Sequence, residues 1–79
     1  MTERMVSLSK IDGLKAFVTA CCNQPFSIEL TSGRYTVDAK SIMGVFSLDT
    51  SKPVKMVVHA DDERVDKFLD SIKDCIVEN

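Results

Sequence analysis

Val37-Asp38-Ala39-Lys40-Ser41-Ile42-Met43-Gly44-Val45-Phe46-Ser47-Leu48 changes character at Ser41. Ahead of the serine, apolar and polar residues alternate, the two-residue period of a strand with one face buried. Behind it, apolar residues crowd at helical spacing. A serine hydroxyl placed just before such a run accepts a hydrogen bond from a backbone N–H of the first helical turn. The text therefore predicts a short helix over Ser41 to Leu48 with Ser41 as its N-cap. Asp49-Thr50-Ser51-Lys52-Pro53 closes that segment. A helix of about two turns cannot bury Ile42, Met43, Val45 and Phe46 against a single neighbour, so some of them face outward.

Working towards the N-terminus, Tyr35-Thr36-Val37-Asp38 and Phe26-Ser27-Ile28-Glu29-Leu30 alternate in the same way. Thr31-Ser32-Gly33-Arg34 between them is a hairpin connection, with a glycine free to take positive φ. Asn23-Gln24-Pro25 ends the preceding helix, because proline disfavours α geometry in the residue before it. In that helix Leu14, Phe17, Val18 and Cys21 share one face, and Asp12 is placed to cap a start at Gly13. Arg4 to Leu8 is the first strand. Towards the C-terminus, Val54 to His59 is the fourth strand, and Asp61 or Asp62 caps a last helix. Its apolar stripe runs Val65, Phe68, Leu69, Ile72, Cys75, Ile76. The order is β-α-β-β-α-β-α. Amphipathic helices and strands of this kind predict an α+β domain spanning residues 1–79, with helices on one face of a four-stranded antiparallel sheet. The other face meets water, carrying Lys55 and Glu29.

Composition narrows the functions. The chain has 79 residues, a formal net charge of −2 and no basic run, which argues against nucleic acid as a partner. No apolar run approaches the ~20 residues that cross a bilayer, and Met1 to Met5 lacks the apolar core of a signal peptide, so no membrane role and a cytoplasmic location are expected. Three cysteines, two of them adjacent as Cys21 and Cys22 with Cys75 far off, do not make a disulfide framework and read as buried reduced thiols. A single histidine cannot complete a zinc set with them. Asp61-Asp62-Glu63 suits the start of a helix better than a metal. No phosphate loop, Ser-His-Asp set or carboxylate pair can be assembled, so no enzyme activity, metal or cofactor is expected.

The segment from Ala39 to Gly44, with its flanks, resembles the Ala-Lys-Ser-Ile-Met-Gly signature of the HPr (histidine-containing phosphocarrier) family, especially in its Gram-positive form. The similarity extends from about Val37 to Ile76, while the first third matches in pattern only. The resemblance implies the family's open-faced β-sandwich, a four-stranded antiparallel sheet covered on one face by three helices. It also implies a place in the sugar phosphotransferase system. The family carries its phosphoryl group on a histidine in a Gly-Leu-His-Ala-Arg-Pro loop that opens the first helix. Here the text is Gly13-Leu14-Lys15-Ala16-Phe17-Val18, and Lys15 occupies the degenerate phosphocarrier position. An ammonium group can hold an anion but cannot replace an imidazole as phosphoryl acceptor. Ser41 matches the family's regulatory serine, the substrate of a dedicated ATP-dependent kinase, with Lys40 as an adjacent cation. Lys40, Ile42, Met43 and Phe46 match the patch that docks partner proteins. The chain is thus similar to the Crh proteins, which lack the active histidine and keep the serine. The expected role is regulatory or adaptor. Its partners would be an HPr kinase-type enzyme and a transcriptional regulator or transport enzyme. The alternatives are a phosphocarrier with a non-standard acceptor, for which His59 is the one imidazole, and a structural or oligomerisation module.

Overall fold

The computed structural model describes residues 1–77. In chain order they form β1 (Thr2–Val6), α1 (Ile11–Cys22), β2 (Ile28–Ser32), β3 (Tyr35–Asp38), α2 (Ile42–Phe46), β4 (Val54–Val58), α3 (Glu63–Ser71), a 3₁₀ turn (Lys73–Cys75) and β5 (Ile76–Val77). The strands lie in the order β3-β2-β4-β1-β5, all neighbours antiparallel.

The register explains the two faces of the sheet. Leu30 stands opposite Met56, Ile28 opposite Val58, and Val6 opposite Val54. All six side chains are buried and point toward the helices. Glu29 and Lys55, one step out of phase, fall on the open face, as the alternation predicts. From α1, Leu14, Phe17, Val18 and Cys21 enter the core, and from α3, Val65 and Phe68. Phe26, ahead of β2, meets Phe68 edge to face, with ring centroids 5.9 Å apart at 77°. In the β2–β3 hairpin Ser32 pairs with Tyr35, and Gly33 takes φ +59°, a left-handed conformation that costs other residues about 1–2 kcal/mol.

Several boundaries differ from the sequence-based expectation. The sheet has five strands, not four. The last helix ends at Ser71 rather than running through Ile76, and after the 3₁₀ turn Ile76 and Val77 pair with Val6 and Met5 of β1. The reason is the edge of β1. Its outward backbone groups need partners, and the β-branched Ile76 and Val77 suit a strand better than a helix. Ser7 N–H donates to Cys75 C=O at 2.7 Å where the two segments first meet. The first strand starts at Thr2 rather than Arg4, because β4 offers pairing as far as Val58, opposite Thr2. The first helix starts at Ile11 rather than Gly13. Asp12 lies inside its first turn, and Lys10 is the N-cap without a side-chain cap bond.

Of the two candidates, Asp62 caps α3. Its carboxylate accepts from Arg64 N–H at 2.9 Å and holds the Arg64 guanidinium at 2.9 and 2.6 Å. The guanidinium, chiefly by hydrogen bonding, keeps the Asp62 carboxyl below the usual aspartate range. A group whose folded pKa is depressed adds its stability above its unfolded pKa and loses it as pH falls through the folded value. Asp62→Asn is therefore expected to lower the urea midpoint above the range where free aspartate titrates and to converge with the unchanged chain at acid pH, which flattens the acid limb of a plot of midpoint against pH.

Candidate functional site

The site is a corner where β3 turns into α2. Asp38 makes the turn: its C=O accepts from Ser41 N–H at 3.0 Å, and its Oδ1 from Lys40 N–H at 2.9 Å. Ser41 stays extended at φ −103°, ψ 108°, which aims its side chain back along the coming helix. Ser41 Oγ accepts from Gly44 N–H at 3.2 Å, and Ser41 C=O from Val45 N–H at 2.9 Å. This is the N-cap that the sequence predicts. Gly44 lets the short helix sit close to β3, since a Cβ there would lie 3.4 Å from both Val37 Cβ and Ser41 Oγ.

Val45 alone of the α2 residues is buried. Ile42, Met43 and Phe46 are 38, 77 and 47% exposed, so three apolar side chains stand in water beside the exposed Ser41. Lys40 is placed differently from the expected patch member. Its ammonium donates to Gln24 C=O at 2.7 Å, at the end of α1. Nothing in the residues around Lys40 points to a carbonyl across the fold, so this contact is not legible locally.

Lys15 is exposed, within α1 rather than at the opening of that helix. The residue that opens the helix is Lys10, also exposed. A matching dipeptide, Gly13-Leu14, set the expectation at Lys15. Ile11 is 61% exposed and lies off the buried stripe of Leu14, Phe17, Val18 and Cys21, so the stripe does not mark where the helix starts. The single histidine, His59, lies just past β4 on the open sheet face. Its N–H donates to Ser27 C=O at 2.9 Å, and its Nε2 pairs with Glu29 Oε1. Ser27, Thr36 and Asp38 line a shallow depression beside this pair. Among the described residues no group of three or more His, Cys, Asp or Glu side chains is arranged to hold a metal ion.

The thiols divide by burial. Cys21 is buried, Cys75 half-buried and Cys22 exposed, which corrects the expectation of three buried thiols. Burial pushes the Cys21 pKa up to about 12. Only the thiolate reacts readily. Alkylation of the folded protein at neutral pH is expected to label Cys22 first and Cys21 only on unfolding, as read by peptide mass spectrometry.

An antiparallel sheet with three helices on one face, the short serine-capped α2 among them, defines a small α+β domain of the open-faced sandwich class. The chain belongs to the HPr family of the phosphotransferase system: the family model described as "PTS HPr component phosphorylation site" matches residues 14–78, which include Lys15, Ser41 and all of α2. Members of this family are phosphocarriers rather than enzymes. Among solved structures, the crystal structure of HPr-C-His from Thermoanaerobacter tengcongensis is similar at a TM-score of 0.74 and 26% identity, over 94% of this chain and 89% of that one. A search of the curated proteins finds no match. No described helix is long and apolar enough to cross a membrane.

Proposed function

We propose that this chain is a single-domain regulatory or adaptor member of the HPr family, phosphorylated at Ser41 and not a histidine phosphocarrier. The observation that carries the reading is the α2 corner. An exposed serine hydroxyl at the N-cap adjoins three outward apolar side chains, Ile42, Met43 and Phe46. A phosphate there would meet the positive end of a helix and would place about −1.5 to −2 charge beside an apolar docking surface. Such a change alters what binds the surface without rebuilding the core. The phosphocarrier role is argued against by Lys10 at the opening of α1 and by the place of the only imidazole, paired with Glu29 away from that helix. In this reading the protein acts in the cytoplasm. It is modified by an HPr kinase-type enzyme and binds a transcriptional regulator or a transport enzyme through α2.

Two incubations test it. With an HPr kinase and ATP, one phosphate is expected on Ser41, located by tandem mass spectrometry. With enzyme I and phosphoenolpyruvate, no acid-labile phosphate is expected. Phosphohistidine at His59 would overturn the reading in favour of a carrier with an unusual acceptor. An unmodified Ser41 would leave a structural module.

A further inference from the structure

Lys40 belongs to two elements at once. Its ammonium donates to Gln24 C=O at 2.7 Å, just past the end of α1. Its carbonyl accepts from the Cys22 thiol at 3.4 Å, so the α1 end and this residue hold each other twice. On the other side its N–H donates to Asp38 Oδ1 at 2.9 Å, and the next residue, Ser41, caps α2 through Gly44 N–H at 3.2 Å. A continuous line of hydrogen bonds thus runs from the C-terminus of α1 to the N-cap of α2. The contact with Gln24 has a cation at the negative end of a helix, in a partly buried setting. A hydrogen bond from a charged donor is stronger than one between neutral groups.

We infer that Lys40 is a latch that couples the phosphorylation state of Ser41 to the C-terminal end of α1. This rests on the reading of Ser41 as a modified residue. Neighbouring Cα atoms lie about 3.8 Å apart, and a lysine side chain reaches farther than that gap. The same ammonium, which now serves Gln24 C=O, is thus within reach of a phosphate on Ser41. A phosphate dianion is the stronger acceptor, because both partners of the new bond are charged. The carbonyl is helped by the helix end and by partial burial. When the ammonium leaves, Gln24 C=O loses its donor. The last turn of α1, where Asn23 N–H bonds Thr19 C=O at 3.3 Å and Gln24 N–H bonds Cys21 C=O at 3.1 Å, then keeps only the Cys22 thiol bond to Lys40 C=O as its tie to the α2 corner. A mark on α2 is thereby read on α1.

The test does not need a kinase. Phosphoserine is installed at position 41 by genetic encoding or ligation, in the otherwise unchanged chain and in Lys40→Met, which keeps an apolar stem of similar length. Two signals are followed by NMR: the carbonyl ¹³C shift of Gln24 and the hydrogen-exchange rates of the Asn23 and Gln24 amides. In the unchanged chain, phosphoserine is expected to move the Gln24 signal toward its position in Lys40→Met. It is also expected to speed the two amides by roughly three- to ten-fold, the scale of a local opening eased by one contact. In Lys40→Met the phosphate is expected to change neither signal. Lys40→Arg, which preserves the charge, should respond to phosphate as lysine does, and it guards against a general loss of structure in the methionine variant. A Gln24 signal indifferent to phosphoserine overturns the latch, and so does an equal response with and without Lys40. Failure of a kinase to modify Ser41 would sink the proposed function while leaving this measurement readable.

Discussion

Phe68→Ala is expected to destabilise the protein by about 3–5 kcal/mol, a large share of its total stability. Phe68 is buried to 1% exposure on the inner face of α3, and its ring is the edge-to-face partner of Phe26. Truncating a buried phenylalanine costs about 3–5 kcal/mol, because the lost transfer free energy is joined by the cost of a cavity that the surroundings only partly fill. At ~0.05–0.15 kcal/mol per residue, a chain of 79 residues has about 4–12 kcal/mol in total. One substitution thus removes a large part of the margin. The loss also reaches Arg64, whose guanidinium lies 5.7 Å over the Phe26 ring and so depends on where that ring sits. The contrast is Phe46→Ala on α2, where the ring is 47% exposed. That change should stay within about 1 kcal/mol. Urea unfolding followed by circular dichroism separates the two: a strongly lowered midpoint for Phe68→Ala and a nearly unshifted midpoint for Phe46→Ala. Equal midpoints would mean that the core does not rest on this aromatic pair.

What could be read from the sequence follows from which interactions are local. The α2 corner was legible because a serine N-cap, its helix and the preceding turn lie within a few residues and use backbone groups close in sequence. The hairpin was legible for the same reason, since Gly33 and the alternation on either side fix its pairing. Phe17 and Phe68 fell on stripes whose period is 3.6, and both are buried. The misses are contacts between distant segments. Ile76 continues the α3 stripe in period, so periodicity assigns it to a helix. What removes it is the unpaired edge of β1, some seventy residues earlier in the chain. The sequence holds no statement of that edge's needs. Lys40 fails in the same way: its neighbour in sequence is Ser41, while its ammonium answers Gln24. Lys15 is a different case: the Gly13-Leu14 dipeptide suggests a helix opening there, whereas α1 begins at Ile11, an exposed residue that the buried stripe does not announce.

Ser41→Ala is expected to abolish phosphate incorporation by an HPr kinase while the protein stays folded. The hydroxyl has two jobs in the proposed reading, and substitutions separate them. As an N-cap it accepts from Gly44 N–H at 3.2 Å, and losing that bond costs about 1 kcal/mol. Against a total of about 4–12 kcal/mol the folded state remains dominant. Ser41→Asp restores the cap, since aspartate ranks with serine at this position. Its stability should lie close to that of the unchanged chain, yet it too should take no phosphate. Two variants that differ in stability and agree in losing all incorporation would assign the loss to the hydroxyl and not to the fold. The docking surface is tested separately by Met43→Ala. Met43 is 77% exposed, so truncating it should leave the urea midpoint within about 0.5 kcal/mol of the original and leave phosphate incorporation intact. A partner that binds through α2 would lose affinity for Met43→Ala with or without phosphate on Ser41. A partner whose affinity follows the phosphate and ignores Met43 would place the reading surface elsewhere and separate the switch from the apolar patch beside it.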